Sequence, residues 1–290
     1  MIIELEVIMK RHDGRLLKSI GPFEKLYPYM IDRRSDAQVF AKQQINAEPI
    51  DLYIQEKRAQ NIKVNYLHVF VAVFLRVIAE RPNLNRFVMN SKIYARNGIH
   101  FSMVVKRSLK DTGLETTVKY AFTGHETILE VVELVNKVIG EASENPDETD
   151  VDKLVAGIMS MPGLFKKALV GIFKWMDRHN LLPRSVLDAS PFHSTLFLTY
   201  LKSIKTDYVY HHQYNIGTAG TFAAIGKTEM IPVVENGVVV ARKCCEIGYA
   251  FDDRICDGLY LANSLKLAQK YLGNLSLLET PLDEVAQDVI

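Results

Sequence analysis

Residues 64–87, VNYLHVFVAVFLRVIAERPNLNRF, limit the possible folds more than any other stretch. From Tyr66 to Ala79 the residues are apolar almost without interruption, broken only by His68 and Arg76. A helix that is apolar on every side has no face to give to solvent, so other elements must enclose it. It is also too short to span a bilayer. Pro82 ends it, because proline lacks an amide donor and the residue before it avoids the α region. Enclosing one helix takes layers, and 290 residues, 48% of them hydrophobic, are enough to build them.

The flanking segments supply those layers. Residues 36–60 read as a strand then a helix, with Asn46 at the turn and Asp51 as a candidate N-cap. Residues 92–109 read as two strands around Asn97-Gly98, a hairpin signal. A strand at 116–124 and a helix at 126–142 follow, then the acidic stretch SENPDETDVD, expected as an exposed loop or linker. From Met161 to Leu182 an amphipathic helix is predicted. Its apolar face carries Leu164, Phe165, Ala168, Leu169, Ile172, Phe173 and Met176, and Lys166, Lys167, Lys174 and Arg178 lie elsewhere. That face is expected to pack on the protein or a neighbouring subunit, and membrane association is not expected. The last third is β-rich, with Asn236-Gly237 as a second hairpin turn and a closing helix from about Gly258 to Leu272. Helices between strands with late hairpins imply a mixed α/β sheet, read as one domain over residues 1–290.

Charge and cysteine use exclude several classes. With 35 basic and 34 acidic side chains there is no general pull toward nucleic acid. Cys244, Cys245 and Cys256 form neither a disulfide framework nor a CxxC zinc pair. His211-His212 with Asp252-Asp253 is not a spaced ligand set, so no metal is expected. Gly217, Gly220 and Gly226 lack the lysine of a phosphate loop and read as turns and close strand packing. The start, MIIELEVIMKRHDG, has no secretory signal pattern, so a cytoplasmic location is expected.

The strongest local signal is YAFDDRICDGLYLANSLKLAQKYL, residues 249–272: an apolar strand, a charged turn ending in Asp257-Gly258, and an amphipathic helix. Here the chain resembles the catalytic core of the dihydrolipoyl acyltransferases of 2-oxo acid dehydrogenase complexes, and chloramphenicol acetyltransferase. These carry a strand, a histidine-containing DHRxxDG or HHxxxDG motif, and a helix. HVFVAVFLRVIAERPNLNRF followed by KIYARNGIHFSMVVKR, and the strand LFLTYLKSI, resemble further parts of that core. The likeness covers most of residues 30–275, with 141–188, the acidic linker and extra amphipathic helix, matching poorly. WMDRHNLLPRSVLDASPFHST and YHHQYNIGT are similar to stand-alone relatives whose motif reads DER or DDR.

The resemblance implies a chloramphenicol acetyltransferase-like fold, a mixed β-sheet flanked by helices, and a homotrimer with active sites between subunits. It also implies a mechanism. A histidine takes the proton from a thiol or hydroxyl acceptor, which attacks the thioester of acyl-CoA, while a hydroxyl residue donates to the oxyanion. The histidine position is Asp253 here, and the hydroxyl position is Thr199. The motif aspartate is Asp257, and its implied ion-pair partner is Arg33 or Arg34. A carboxylate with a pKa near ~3.9 is a poor base for a thiol. Burial and the neighbouring Asp252 would raise it. A second route is a histidine from elsewhere, His211 or His212. His193 reads as a packing or capping residue and His68 as a core histidine.

Two expectations follow. The first is an acyltransferase that uses coenzyme A thioesters and an altered base on an unknown acceptor. The second is an inactive trimeric binding or scaffold protein on the same fold. There is no lipoyl domain, no Asp-Lys-Ala lipoyl hairpin and no peripheral-subunit-binding domain in the sequence. The expected acceptor is therefore a free small molecule or a lipoyl group on another protein.

Overall fold

A computed structural model describes residues 11–106, 115–144, 157 and 159–290. Two sheets organise them. The smaller is formed by β1 (Gly14–Leu16), β3 (Arg86–Met89) and β4 (Lys92–Arg96) in the order β1-β4-β3, all antiparallel. The larger holds β2 (Gln38–Asn46), β5 (Ile99–Lys106), β6 (Glu115–Phe122), β7 (Leu196–Tyr200), β8 (Thr221–Glu235) and β9 (Val238–Asp252). Its order is β2-β9-β8-β7-β5-β6. β7 runs parallel to β5 and β8, and the other pairs are antiparallel, so the sheet is mixed as expected.

The helices are α1 (Pro22–Met30), α2 (Glu48–Ala59), α3 (Tyr66–Glu80), α4 (Ile128–Glu144), α5 (Gly163–Arg178), α6 (Arg184–Ala189) and α7 (Gly258–Gly273). α3 is the enclosed helix: every residue from Tyr66 to Ala79 is buried, packed among α4, α7 and the large sheet. Asn65 is its N-cap and His68 completes the capping box. The His68 N–H donates to Asn65 Oδ1 and the Asn65 N–H to His68 Nδ1, both at 3.2 Å. His68 Nε2 lies 3.2 Å from Asn136 Oδ1, and burial pushes the imidazole down to about 4, so it stays neutral. Arg76 spends its charge on the Leu277 and Thr280 carbonyls. The two polar interruptions of the apolar run are thus satisfied in place.

Strand alternation gives the large sheet two buried faces. Leu196 and Leu198 of β7 point into the core with α3, whereas Phe197 faces the other way, where Phe222 stacks on it at 5.1 Å alongside Ala219 and Ala250. The Asn236-Gly237 turn closes the β8–β9 hairpin as expected, with φ of 51° and 79°.

The Asn97-Gly98 turn does not make a hairpin. β4 pairs with β1 and β3, β5 pairs with β6 and β7, and the turn passes the chain from one sheet to the other. Gly98, at φ 73°, supplies the reversal, but an Asn-Gly pair does not oblige its flanking strands to pair. Asp51 is not a cap either. Ala47 holds the N-cap position of α2, and Asn46 Oδ1 accepts from the Glu48 N–H at 3.0 Å. From residue 145 the acidic stretch lies outside the described residues. The predicted 161–182 helix is present as α5 (Gly163–Arg178), but among the described residues its apolar face finds little cover: Leu164, Phe165, Ile172 and Trp175 are all more than half exposed.

Phe70 is fully buried on α3. Phe70→Ala is expected to destabilise the protein by about 3–5 kcal/mol, read as a lowered urea midpoint with an unchanged slope.

Candidate functional site

β9 ends in a turn built around a buried carboxylate. The Asp252 N–H donates to the Gly220 carbonyl at 2.9 Å and the Asp253 N–H to the Ala37 carbonyl at 2.8 Å. The Asp252 carboxylate is wholly inaccessible. Arg254 reaches it with Nε and Nη2, each at 2.8 Å, and Arg34 Nε stands 3.5 Å from its Oδ2. Arg254 Nη1 donates onward to the Ile31 and Asp32 carbonyls, and Arg34 Nη1 to the Tyr214 carbonyl. Burial pushes the Arg34 guanidinium down, opposed by the Asp252 charge.

This arrangement corrects the ion pair implied for Asp257. Arg34 pairs with Asp252, and Arg33 is exposed. Asp257 is exposed too, and caps α7 by accepting the Tyr260 N–H at 2.8 Å. The register explains the exchange: Gln38 pairs with Asp252, which sets the segment around Arg34 beside the strand end rather than beside the helix start.

Asp253 is half-buried, and among the described residues no side-chain donor reaches its carboxylate. Burial raises its pKa, and the adjacent Asp252 raises it further. Of the two adjacent aspartates, one is locked in an ion cluster and the other is free.

His211 and His212 come to the same end of the sheet on a loop laid flat across its outer face. Two glycines make room for it. A Cβ on Gly226 would lie 2.6 Å from the Tyr208 nitrogen, and one on Gly248 2.6 Å from the Val209 carbonyl oxygen. The Gln213 N–H then donates to Gln38 Oε1 at 3.0 Å, and its side-chain amide to the Gly220 and Ala250 carbonyls. His211 stacks on Phe222 at 5.8 Å, and His212 meets the edge of Tyr214 at 5.0 Å. Burial, then the charge of His212, pushes the His211 imidazole down, favouring a neutral ring.

Thr199 is not brought to Asp253 within the chain. It pairs with Ala224, which pairs with Gly248, four residues along β9 from Asp252. Two strand spacings and that rise put Thr199 about 16 Å from Asp252, the residue before Asp253.

The sequence reading missed a second buried cluster. Asp177 accepts from Arg11 Nη2 at 3.0 Å and lies 3.1 Å from His193 Nε2, whose Nδ1 is 2.8 Å from Ser190 Oγ. Arg11 also pairs with Asp13 at 2.7 Å. These contacts anchor the end of α5. His193 is the packing residue it was expected to be, but nothing marked Asp177, on the polar side of an amphipathic helix, as buried. Between this cluster and Arg254 opens a cavity of about 210 Å³, lined by Arg34, Lys174, Arg178 and Arg254 against Asp32 and Asp177. Among the described residues no group of three or more His, Cys, Asp or Glu could hold a metal. The three cysteines are buried, and burial pushes the Cys245 and Cys256 thiols up to about 12, so they are poor nucleophiles.

Residues 218–279 match the sequence profile of the 2-oxoacid dehydrogenases acyltransferase (catalytic domain) family. No curated protein matches the chain by sequence. Among solved structures it is similar to a probable dihydrolipoamide acetyltransferase from Listeria monocytogenes, at 14% identity over 88% of this chain and 93% of that one, TM-score 0.56. It is similar to the dihydrolipoamide acetyltransferase of Azotobacter vinelandii at 12% identity over 88% and 87%, TM-score 0.56. For a chloramphenicol acetyltransferase the figures are 13% identity over 89% and 99%, TM-score 0.54. The chain has the chloramphenicol acetyltransferase-like fold. In that acyltransferase-type core the matched segment runs from the end of the His211–His212 loop through β8 and β9 and past α7, so it contains the whole Asp252–Gly258 turn.

The two aspartates are expected to respond oppositely to neutralisation. Asp252→Asn leaves two buried guanidinium groups short of a charge and should cost about 3–5 kcal/mol. Asp253→Asn should be neutral or stabilising at pH 7. Its folded-state pKa is raised, so the ionised form disfavours folding, and stability falls as pH rises through that pKa. Chemical denaturation of both variants at pH 5 and 8 checks the pair.

Proposed function

We propose that the protein is an acyl-CoA-dependent acyltransferase in which Asp253 is the general base. The observation that carries this reading is the free, half-buried Asp253 carboxylate with a raised pKa beside an ion cluster that fixes its backbone. The Azotobacter enzyme, in which a serine, a histidine and an asparagine were investigated for the catalytic mechanism, supports the placement. Its histidine and asparagine are four residues apart, as are Asp253 and Asp257.

The acceptor's thiol or hydroxyl proton passes to the Asp253 carboxylate as its sulfur or oxygen attacks the thioester carbonyl. Thr199 Oγ donates to the oxyanion so formed. Collapse expels the CoA thiolate, which takes the proton back from Asp253. The separation of Thr199 from Asp253 in one chain fits a site that takes the carboxylate from one subunit and the hydroxyl from its neighbour. The likeness to the cubic core of a pyruvate dehydrogenase multienzyme complex, at TM-score 0.55, supports self-association of that kind. His211 is the alternative base, being neutral and at the same end of the sheet. The acceptor is a small molecule or a lipoyl group carried by another protein.

With acetyl-CoA and a dithiol acceptor, Asp253→Asn should lose about 100-fold or more in kcat, and Thr199→Ala about 100-fold. Because the ionised carboxylate is the active form, the wild-type rate should fall as pH drops through the raised pKa of Asp253. His211→Gln should leave that limb in place. A wild-type protein that consumes no acyl-CoA with any thiol, amine or hydroxyl acceptor, while Asp253→His gains turnover, would favour the second reading. That reading is an inactive scaffold, and the unpartnered face of α5 is the feature that speaks for it.

A further inference from the structure

α5 is held by one end. Only Lys166, Phe173, Met176 and Asp177 lose appreciable exposure, and Lys166, Phe173 and Asp177 fall on a single edge. The cluster of Arg11, Asp177 and His193 fixes the C-terminal turn, and Arg178 lies 3.5 Å from Asp32. The contact edge lies where the apolar arc meets the basic arc, so the apolar arc is turned away from the body. Leu164 is 79% exposed, Phe165 63%, Ile172 54% and Trp175 55%, and Met159 and Met161 just before the helix extend the same patch. The opposite arc carries Lys167, Lys174 and Arg178, with Lys166 at its margin. The helix has one acid, Asp177, which is buried and paired. No helix among the described residues is long and apolar enough to cross a membrane.

We propose that α5 docks in the plane of an anionic membrane surface, its Leu164–Phe165–Ile172–Trp175 face among the acyl chains and its lysines at the headgroups. Aromatic and aliphatic side chains on one arc and lysines on the other are what an interfacial helix needs. Charge complementarity argues for this occupant: Lys167, Lys174 and Arg178 border the apolar arc, the single acid of the helix is buried and paired, and anionic headgroups supply the matching charge. The apolar face of α5 lies outside the Asp253 turn, with Lys174 and Arg178 bordering the cavity that Arg254 also lines, and the proposal stands whether or not the protein transfers acyl groups.

Trp175 is the only tryptophan, so its emission reports on α5 alone. The test is the full-length protein with phosphatidylcholine vesicles that contain, or lack, about a quarter phosphatidylglycerol. The expected result is a blue shift of Trp175 and co-sedimentation with the anionic vesicles only. Affinity should fall about five-fold for each of Lys166→Gln, Lys167→Gln and Lys174→Gln, and binding should be lost in Ile172→Glu. Lys167, Ile172 and Lys174 are exposed, so circular dichroism and thermal midpoints of those three variants should match wild type. Equal binding to both vesicle types, or no vesicle-dependent shift, overturns the proposal. So does a Trp175 emission already blue-shifted without vesicles and reverting on dilution, which would place α5 against a second copy of this chain.

Discussion

The Asp252 carboxylate joins three parts of the chain that are far apart in sequence. Arg254, two residues on, neutralises it and passes hydrogen bonds to the carbonyls of residues 31 and 32. Arg34 adds a second charge and holds the carbonyl of Tyr214. Removing these charges from water is costly, and the geometry compensates by meeting both carboxylate oxygens with directed donors. The result is a rigid corner where the start of β2, the histidine loop and the β9 turn meet. The Asp253 N–H helps to hold that corner through the Ala37 carbonyl, but its carboxylate projects from it without a structural ion pair among the described residues.

The other fixed element is α3. Because it is buried all round, the large sheet, α4 and α7 must close on it, and this puts the end of β9 and the start of α7 at one edge of the core. The site is thus positioned from two sides: the helix sets where β9 ends, and the ion cluster sets how the chain turns there. The outer face of the sheet adds a thinner layer, Phe197 and Phe222 under the loop, which orients His211 by stacking.

Much of this was legible in the residues. The apolar run of 66–79, the Asn236-Gly237 hairpin and the strand–turn–helix of 249–272 each depend on local periodicity or turn chemistry, and the structure follows them. What was not legible depended on register. Nothing local distinguishes Asp252 from Asp257 as a partner for Arg34; the pairing of Gln38 with Asp252 decides it. The same holds for Asn97-Gly98, where the turn is correct but the strands on either side belong to different sheets. Asp177 sits on the polar arc of an amphipathic helix, and the approach of Arg11 from the N-terminal segment and of His193 makes it interior. The apolar arc of α5 was equally legible as an arc, but among the described residues little covers it, because the helix is tethered by its end rather than its face.

Gly226 and Gly248 stand in adjacent strands, and the histidine loop occupies the space that their missing side chains leave. A sheet of this topology with ordinary side chains at those two positions could not seat the loop so low, and the His-His pair would ride above the strands instead of beside the motif turn. In this chain a side chain at either position would lift residues 208 and 209 off the strands, and the histidines that follow them with it.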